Sequence, residues 1–415
     1  MRYLLRRVVL SHSELPLALS LAVVTALALP ASAKASESAD GSEEKPSLTY
    51  AANHHGSGWL PFTLKNKSRI MIPATVNGQK VEVLIDSGAG ATVLDRRFVK
   101  SLGLKSVGDL TAQGSGGSGQ YGIVKDVVIR LGDLTIKNST TVGVNLKPLE
   151  DELGFPLPMV LGGAAFNKTV VDIEFKKHRI AFRDPATFDP PQDMHGVALT
   201  PAGGGNRALD MQVEGQPARM VFDLGNSGAA DMFPRFWKHP AFLKHRLVSS
   251  TLAGGWGGIH TVKSTHLRGV RLAGTTFNGV PSTLMGMHSS DALSGKLDGN
   301  LGMALLGRFH LIVDFPHNQV LFGSPVGTAT PFALNTTGLH LRSVDQGKEI
   351  RHVSTGSPAE KAGLKAGDVI TQVHDARTDA VVPFSSDWES TAPGHDFRLV
   401  LSDGRTVVLR TAKYY

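Results

Sequence analysis

The chain repeats itself at a fixed distance, and that repeat limits the folds open to it. Val76-Asn77-Gly78-Gln79 precedes the apolar run 81–85 and then Asp86-Ser87-Gly88. Val213-Glu214-Gly215-Gln216 precedes the run 218–222 and then Asp223-Leu224-Gly225. Val76 and Val213, Gly78 and Gly215, and Asp86 and Asp223 are each 137 residues apart. Each copy reads as a hairpin with its turn at Asn77-Gly78 or Glu214-Gly215. Its second strand runs straight into Asp-x-Gly, which forces a tight turn.

The copies match again downstream. Met159-Val160-Leu161-Gly162 answers to Asn300-Leu301-Gly302-Met303. Each is followed by an apolar strand holding an acid, Asp172 or Asp314, read as a structural residue at a strand end, and by a return strand at 180–182 or 320–322. Short helical stretches are expected around 94–102 and, more weakly, 231–242. Two similar β-rich lobes follow, joined by the Pro- and Gly-rich stretch 185–205. A pseudo-two-fold axis between them would set Asp86 beside Asp223. Paired carboxyls in contact share one proton. The ionised member can then deprotonate a water while the protonated member polarises a carbonyl. Asp-x-Gly is also a common turn in which the carboxylate simply bonds nearby amides.

Val83-Leu84-Ile85-Asp86-Ser87-Gly88-Ala89-Gly90-Ala91-Thr92 resembles the active-site segment of pepsin and retropepsin aspartic proteases. Leu161-Gly162 and Leu301-Gly302 are similar to the apolar-Gly element that completes each lobe there. The resemblance covers about 65–325 and is closest to bacterial retropepsin-like proteins. It implies catalytic Asp86 and Asp223, active-site loops built on Ser87, Gly88, Ala89 and Gly225, and an extended polypeptide substrate. The second loop departs from the pattern: Leu224 stands where the family has Thr or Ser, so one of two loop-tying hydroxyls is missing. Gly-rich stretches around Gly117 and Gly254, again 137 apart, resemble flap hairpins, with Tyr121 and Trp256 as substrate contacts at their tips.

From about Leu334 the repeat ends. The run Gly356-Ser357-Pro358-Ala359-Glu360-Lys361-Ala362-Gly363-Leu364-Lys365-Ala366-Gly367-Asp368 resembles the most recognisable segment of PDZ domains. That implies capture of a peptide end as an added strand, with Gly338, Leu339, His340 and Leu341 as the receiving loop and 384–391 as the groove helix. The expected fold is mainly β: two pseudo-symmetric retropepsin-like β-barrel lobes followed by a small α/β PDZ-like domain. The expected boundaries are a signal peptide at 1–33, a flexible segment at 34–64, lobes at 65–187 and 188–333, and the PDZ-like domain at 334–415.

Arg2, Arg6 and Arg7, the apolar stretch 15–29 and Ala31-Ser32-Ala33 read as a cleavable export signal, giving a periplasmic or secreted protein. No later run is long enough to span a membrane. The net charge of +7 drops to +5 once three Arg and Glu14 are removed. The basic clusters 65–69 and 176–179 lack interleaved aromatics and read as solvated turns, not a nucleic-acid track. There is no Cys, no His-Glu-x-x-His and no phosphate loop, so no metal or cofactor is called for. The leading expectation is a monomeric aspartic endopeptidase. The alternatives are an inactive peptide-binding scaffold, motivated by Leu224, and a homodimer pairing Asp86 with Asp86.

Overall fold

The computed structural model describes residues 47–137, 139–286 and 295–415, together with two short strands at Ala18–Leu19 and Val23–Val24. The rest of the stretch read as an export signal, with its expected cleavage site, lies outside the described residues. Among the described residues no helix is long and apolar enough to cross a membrane.

The protein is mainly β, and the repeat is visible in its hairpins. Arg69–Val76 pairs antiparallel with Gln79–Ile85, and Asn206–Val213 with Gln216–Phe222. Both turns lie in the left-handed region at Asn77 (φ 45°) and Gly78 (φ 85°), and at Glu214 (φ 51°) and Gly215 (φ 76°). Such mirror-image turns match the twist of paired strands. In each copy a short parallel strand, Met159–Leu161 or Gly299–Leu301, inserts beside the one that leads into Asp-x-Gly. Val160 faces Leu84 and Asn300 faces Val221, so Val160 corresponds to Asn300. The correspondence read from the sequence is therefore one residue out of step: the Leu-Gly pairs align, and the four-residue blocks do not.

Each copy builds its own large sheet, and a third sheet joins them. In it Val170–Glu174 pairs with Leu311–Asp314, with Val171 opposite Val313. Asp172 and Asp314 sit buried in this sheet, Asp172 ion-paired with Arg183 and 2.7 Å from His310 Nε2, and Asp314 2.8 Å from His317 Nδ1. The stretch read as a linker contributes a strand here too. His195–Ala198 pairs with Gln319–Phe322, because Val197 has core to cover at that edge.

The segment read as flexible is also built in from residue 47. Ser47–Tyr50 pairs with Leu134–Lys137 and Leu60–Pro61 with Arg179–Ile180. Leu48, Tyr50 and Leu60 pack on the core, and Arg179 lies 4.0 Å over the Trp59 ring. The expected helices shrink to Arg96–Ser101, Pro234–Trp237 and Pro240–Leu243. A five-stranded C-terminal sheet encloses a separate core around Leu339, Ile350, Ile370 and Phe397.

Candidate active site

The repeat brings the two acids together. Asp86 and Asp223 are both fully buried. Each loop closes on its own acid, with Gly88 N–H donating to Asp86 Oδ1 and Gly225 N–H to Asp223 Oδ1, both at 2.8 Å. Each glycine also lies against the opposite acid. A Cβ on Gly88 would come 2.5 Å from Asp223 Oδ1, and one on Gly225 would overlap the Asp86 carboxyl. Only a residue without a side chain permits this crossing. Among the described residues Asp86 Oδ2 meets no N–H or hydroxyl donor, so a proton shared with Asp223 is what can satisfy it. Burial first, then the charge and hydrogen bond of Asp223, push Asp86 well above the usual carboxylate range; Gly88 N–H and Arg69 pull the other way.

The loops are tied unequally. Ser87 Oγ donates to Phe222 O (3.2 Å) and accepts from Leu224 N–H (2.9 Å). Leu224 offers no hydroxyl in return, and its side chain joins the core. Asn300 donates to Asp223 Oδ2 (2.8 Å), whereas the equivalent residue of the first copy is apolar Val160. Ser87→Ala leaves the Leu224 N–H buried and unpaired. The expected cost is about 1–3 kcal/mol in chemical denaturation, alongside reduced activity.

Arg69 was missed in the sequence, where the cluster 65–69 looked like a solvated turn. It is 2% exposed and reaches Gly225 O (3.0 Å) and Ser227 Oγ (3.4 Å) in the other copy. Its one sequence signal is its place at the head of a strand whose next residues are all apolar.

The Gly-rich stretches form hairpins whose tips meet. Ser106–Gly114 pairs with Gly117–Val124, and Ser249–Gly255 with Gly258–Leu272. Gly116 N–H donates to Trp256 O (3.1 Å), and Gly116 O lies 2.6 Å from His260 Nε2. A Cβ on Gly116 or Gly257 would strike the backbone of the opposite tip. Gly254 (φ 152°) lies on the strand entering the second tip, and Gly117 (φ 135°) begins the strand leaving the first. Trp256 occupies its tip but is 6% exposed, its ring laid over Gly114 and Gly119. Tyr121 is not at a tip. It sits mid-strand opposite Leu110 and Val144, 5% exposed, because the cluster around Leu84, Val142 and Trp256 takes up its ring.

Residues 72–162 match the aspartyl protease family and 349–379 match the PDZ domain family. An aspartyl protease-like domain and a PDZ domain are both present. No curated protein matches the chain. The family match ends at Gly162, so it spans the Asp86 loop, the first Gly-rich hairpin and the Leu161-Gly162 element, and the second copy enters through the repeat.

Behind the second Asp loop lies a third carboxyl. Asp231 is buried, accepts from Asn226 Nδ2 (2.8 Å) and from the Thr283 hydroxyl, and burial raises it to about 7. Its folded value lies above the unfolded one, so the stability it contributes is complete below about pH 4 and is lost as pH rises through about 7. Asp231→Asn, with the Thr283 hydroxyl turned to accept, is expected to flatten the dependence of Tm on pH in that window. Thermal unfolding at stepped pH measures it.

The PDZ domain starts its helix at Ser357, whose side chain accepts from Glu360 N–H, and continues through Pro358–Lys361. The expected groove helix at 384–391 is only the 3-10 turn Trp388–Ser390, since Ser386 bonds back to Pro383 O and competes with helix formation. In the receiving loop, Gly338 N–H is held by Asn335 Oδ1 (2.7 Å) and Leu339 N–H by Thr337 Oγ1 (3.2 Å). Leu339 and Leu341 are core residues. His340 turns toward the second flap strand, 3.2 Å from Thr251 Oγ1. Ser249 donates to Thr355 O (2.6 Å) beside it, and Arg351 reaches Glu152 of the first copy at 3.4 Å.

Proposed function

We propose that the protein is an exported aspartic-type endopeptidase that hydrolyses peptide bonds with a water activated between Asp86 and Asp223. The observation that carries this reading is the reciprocal crossing, in which each buried carboxyl lies against the glycine of the opposite loop. In the reaction the ionised carboxyl takes a proton from water, the protonated one polarises the scissile carbonyl, and a tetrahedral diol forms without a covalent enzyme intermediate. Extended polypeptide would lie under the flaps, which must part to admit it because both acids are fully buried. The second acid comes from the same chain, which removes the motive for pairing Asp86 with Asp86 across a dimer. The PDZ domain, docked on the second flap strand, would present a peptide or partner to the cleft.

A catalytically inert peptide binder is the second reading, favoured by Leu224. The deciding experiment incubates residues 34–415 with a diverse peptide mixture from acid to neutral pH and reads products by mass spectrometry. Cleavage lost in both Asp86→Asn and Asp223→Asn supports the peptidase. Loss in Asp86→Asn alone revives the dimer, and folded protein that cleaves nothing favours the binder.

A further inference from the structure

We propose that Arg69 is a positioning residue of the dyad, anchoring the second Asp loop in place of the hydroxyl that Leu224 lacks and supplying the dyad's counter-charge. This rests on the peptidase reading and deepens it. Ser87 secures one side of the crossing with its hydroxyl. On the other side the tie comes from Arg69, which spans the two copies to hold Gly225 O and Ser227 Oγ, the residues that flank Asn226 after the second Asp. Burying a cation is costly unless opposite charge and hydrogen bonds accompany it.

The charges facing Arg69 are Asp86 and Asp223, and Asp231 stands behind Asp223 in the second copy. Burial lowers Arg69 to about 10 while the two carboxyls hold it up, so it stays cationic through neutral pH. The arrangement is one-sided. The residue 137 positions on is Asn206, buried and neutral, with no hydrogen bond to its side-chain amide among the described residues. The site therefore holds one buried cation where strict symmetry would place two.

A cation beside two acids favours their ionised forms. Removing it must move both limbs of a bell-shaped pH–rate profile to higher pH, whereas a purely structural residue would lower the bell without moving it. The test compares the purified protein with Arg69→Met, Arg69→Lys and Arg69→Gln. It reads the pH profile of peptide cleavage and, independently, the pH dependence of thermal unfolding. Arg69→Met is expected to shift both limbs upward and to lower peak cleavage by about a hundredfold, the scale of a misplaced catalytic group. Its Tm should fall more steeply with rising pH than that of the parent. Arg69→Lys should leave the limbs in place. If Arg69→Met does not fold, Arg69→Gln keeps donors for Gly225 and Ser227 without the charge, and its limbs must still move. Limbs and unfolding profile unchanged in Arg69→Met, or in Arg69→Gln, overturn the proposal. If no protein cleaves peptide, the peptidase reading fails on its own, and the unfolding profiles still decide whether Arg69 balances the pair.

Discussion

Asp86→Asn is expected to lower peptide cleavage by about 10²- to 10⁴-fold, the range that a positioned acid or base contributes, and Asp223→Asn by as much. The losses should be similar because one proton serves both carboxyls, and neither residue can act as acid and base alone. The fold should survive. An Asn at 86 keeps an oxygen to accept from Gly88 N–H and Ala89 N–H, the bonds that close the turn. Stability should move the other way. Asp86 lies above its unfolded value, so its contribution is complete below about pH 4 and is lost as pH rises through the folded value. Asp86→Asn removes that loss, and Tm at neutral pH should rise by a few degrees. Calorimetry at pH 4 and pH 7 checks it. A Tm that falls at pH 7 while cleavage persists would mean that Asp86 is only a turn residue.

Much of this site could be read in the sequence because the constraints on it are local. Asp-x-Gly needs a carboxyl for the turn amides and a glycine for close approach, and both needs appear as adjacent letters. The fixed spacing then supplied the one long-range fact, that Asp86 and Asp223 are equivalent. What stayed hidden depends on partners that carry no such spacing. Arg69 looks like the end of a basic turn because its ligands, Gly225 and Ser227, lie more than 150 positions away. Tyr121 looked like a tip residue because a flap's glycines mark the hairpin but not where its apolar filling ends. The groove helix of the PDZ domain failed for a local reason after all, since Ser385, Ser386 and Asp387 favour turns over helix interiors. The letters of the two copies align one residue out of step at Asn300, because the strand register that fixes Val160 against Leu84 is set in three dimensions.

Trp256→Ala should produce the largest change in dynamics. The ring bridges hairpins from the two copies, lying over Gly114 and Gly119, and its carbonyl accepts from Gly116 N–H. Truncating a buried Trp costs about 3 kcal/mol where nothing refills the space. Here the loss falls on the contact between flaps, so local opening becomes easier without global unfolding. Amide exchange across 112–119 and 253–259 should quicken by about a hundredfold, since each 1.4 kcal/mol is a factor of ten. Tyr121→Phe, which keeps the mid-strand ring, should leave exchange at the tips unchanged. The kinetic effect separates two roles for the closed tips. If closure serves to exclude water and hold the peptide, kcat should fall by about tenfold with exchange accelerated. If opening is the slow step, kcat should rise instead. The first outcome is expected, because closing a site over bound peptide replaces water with fixed protein groups around the reacting bond.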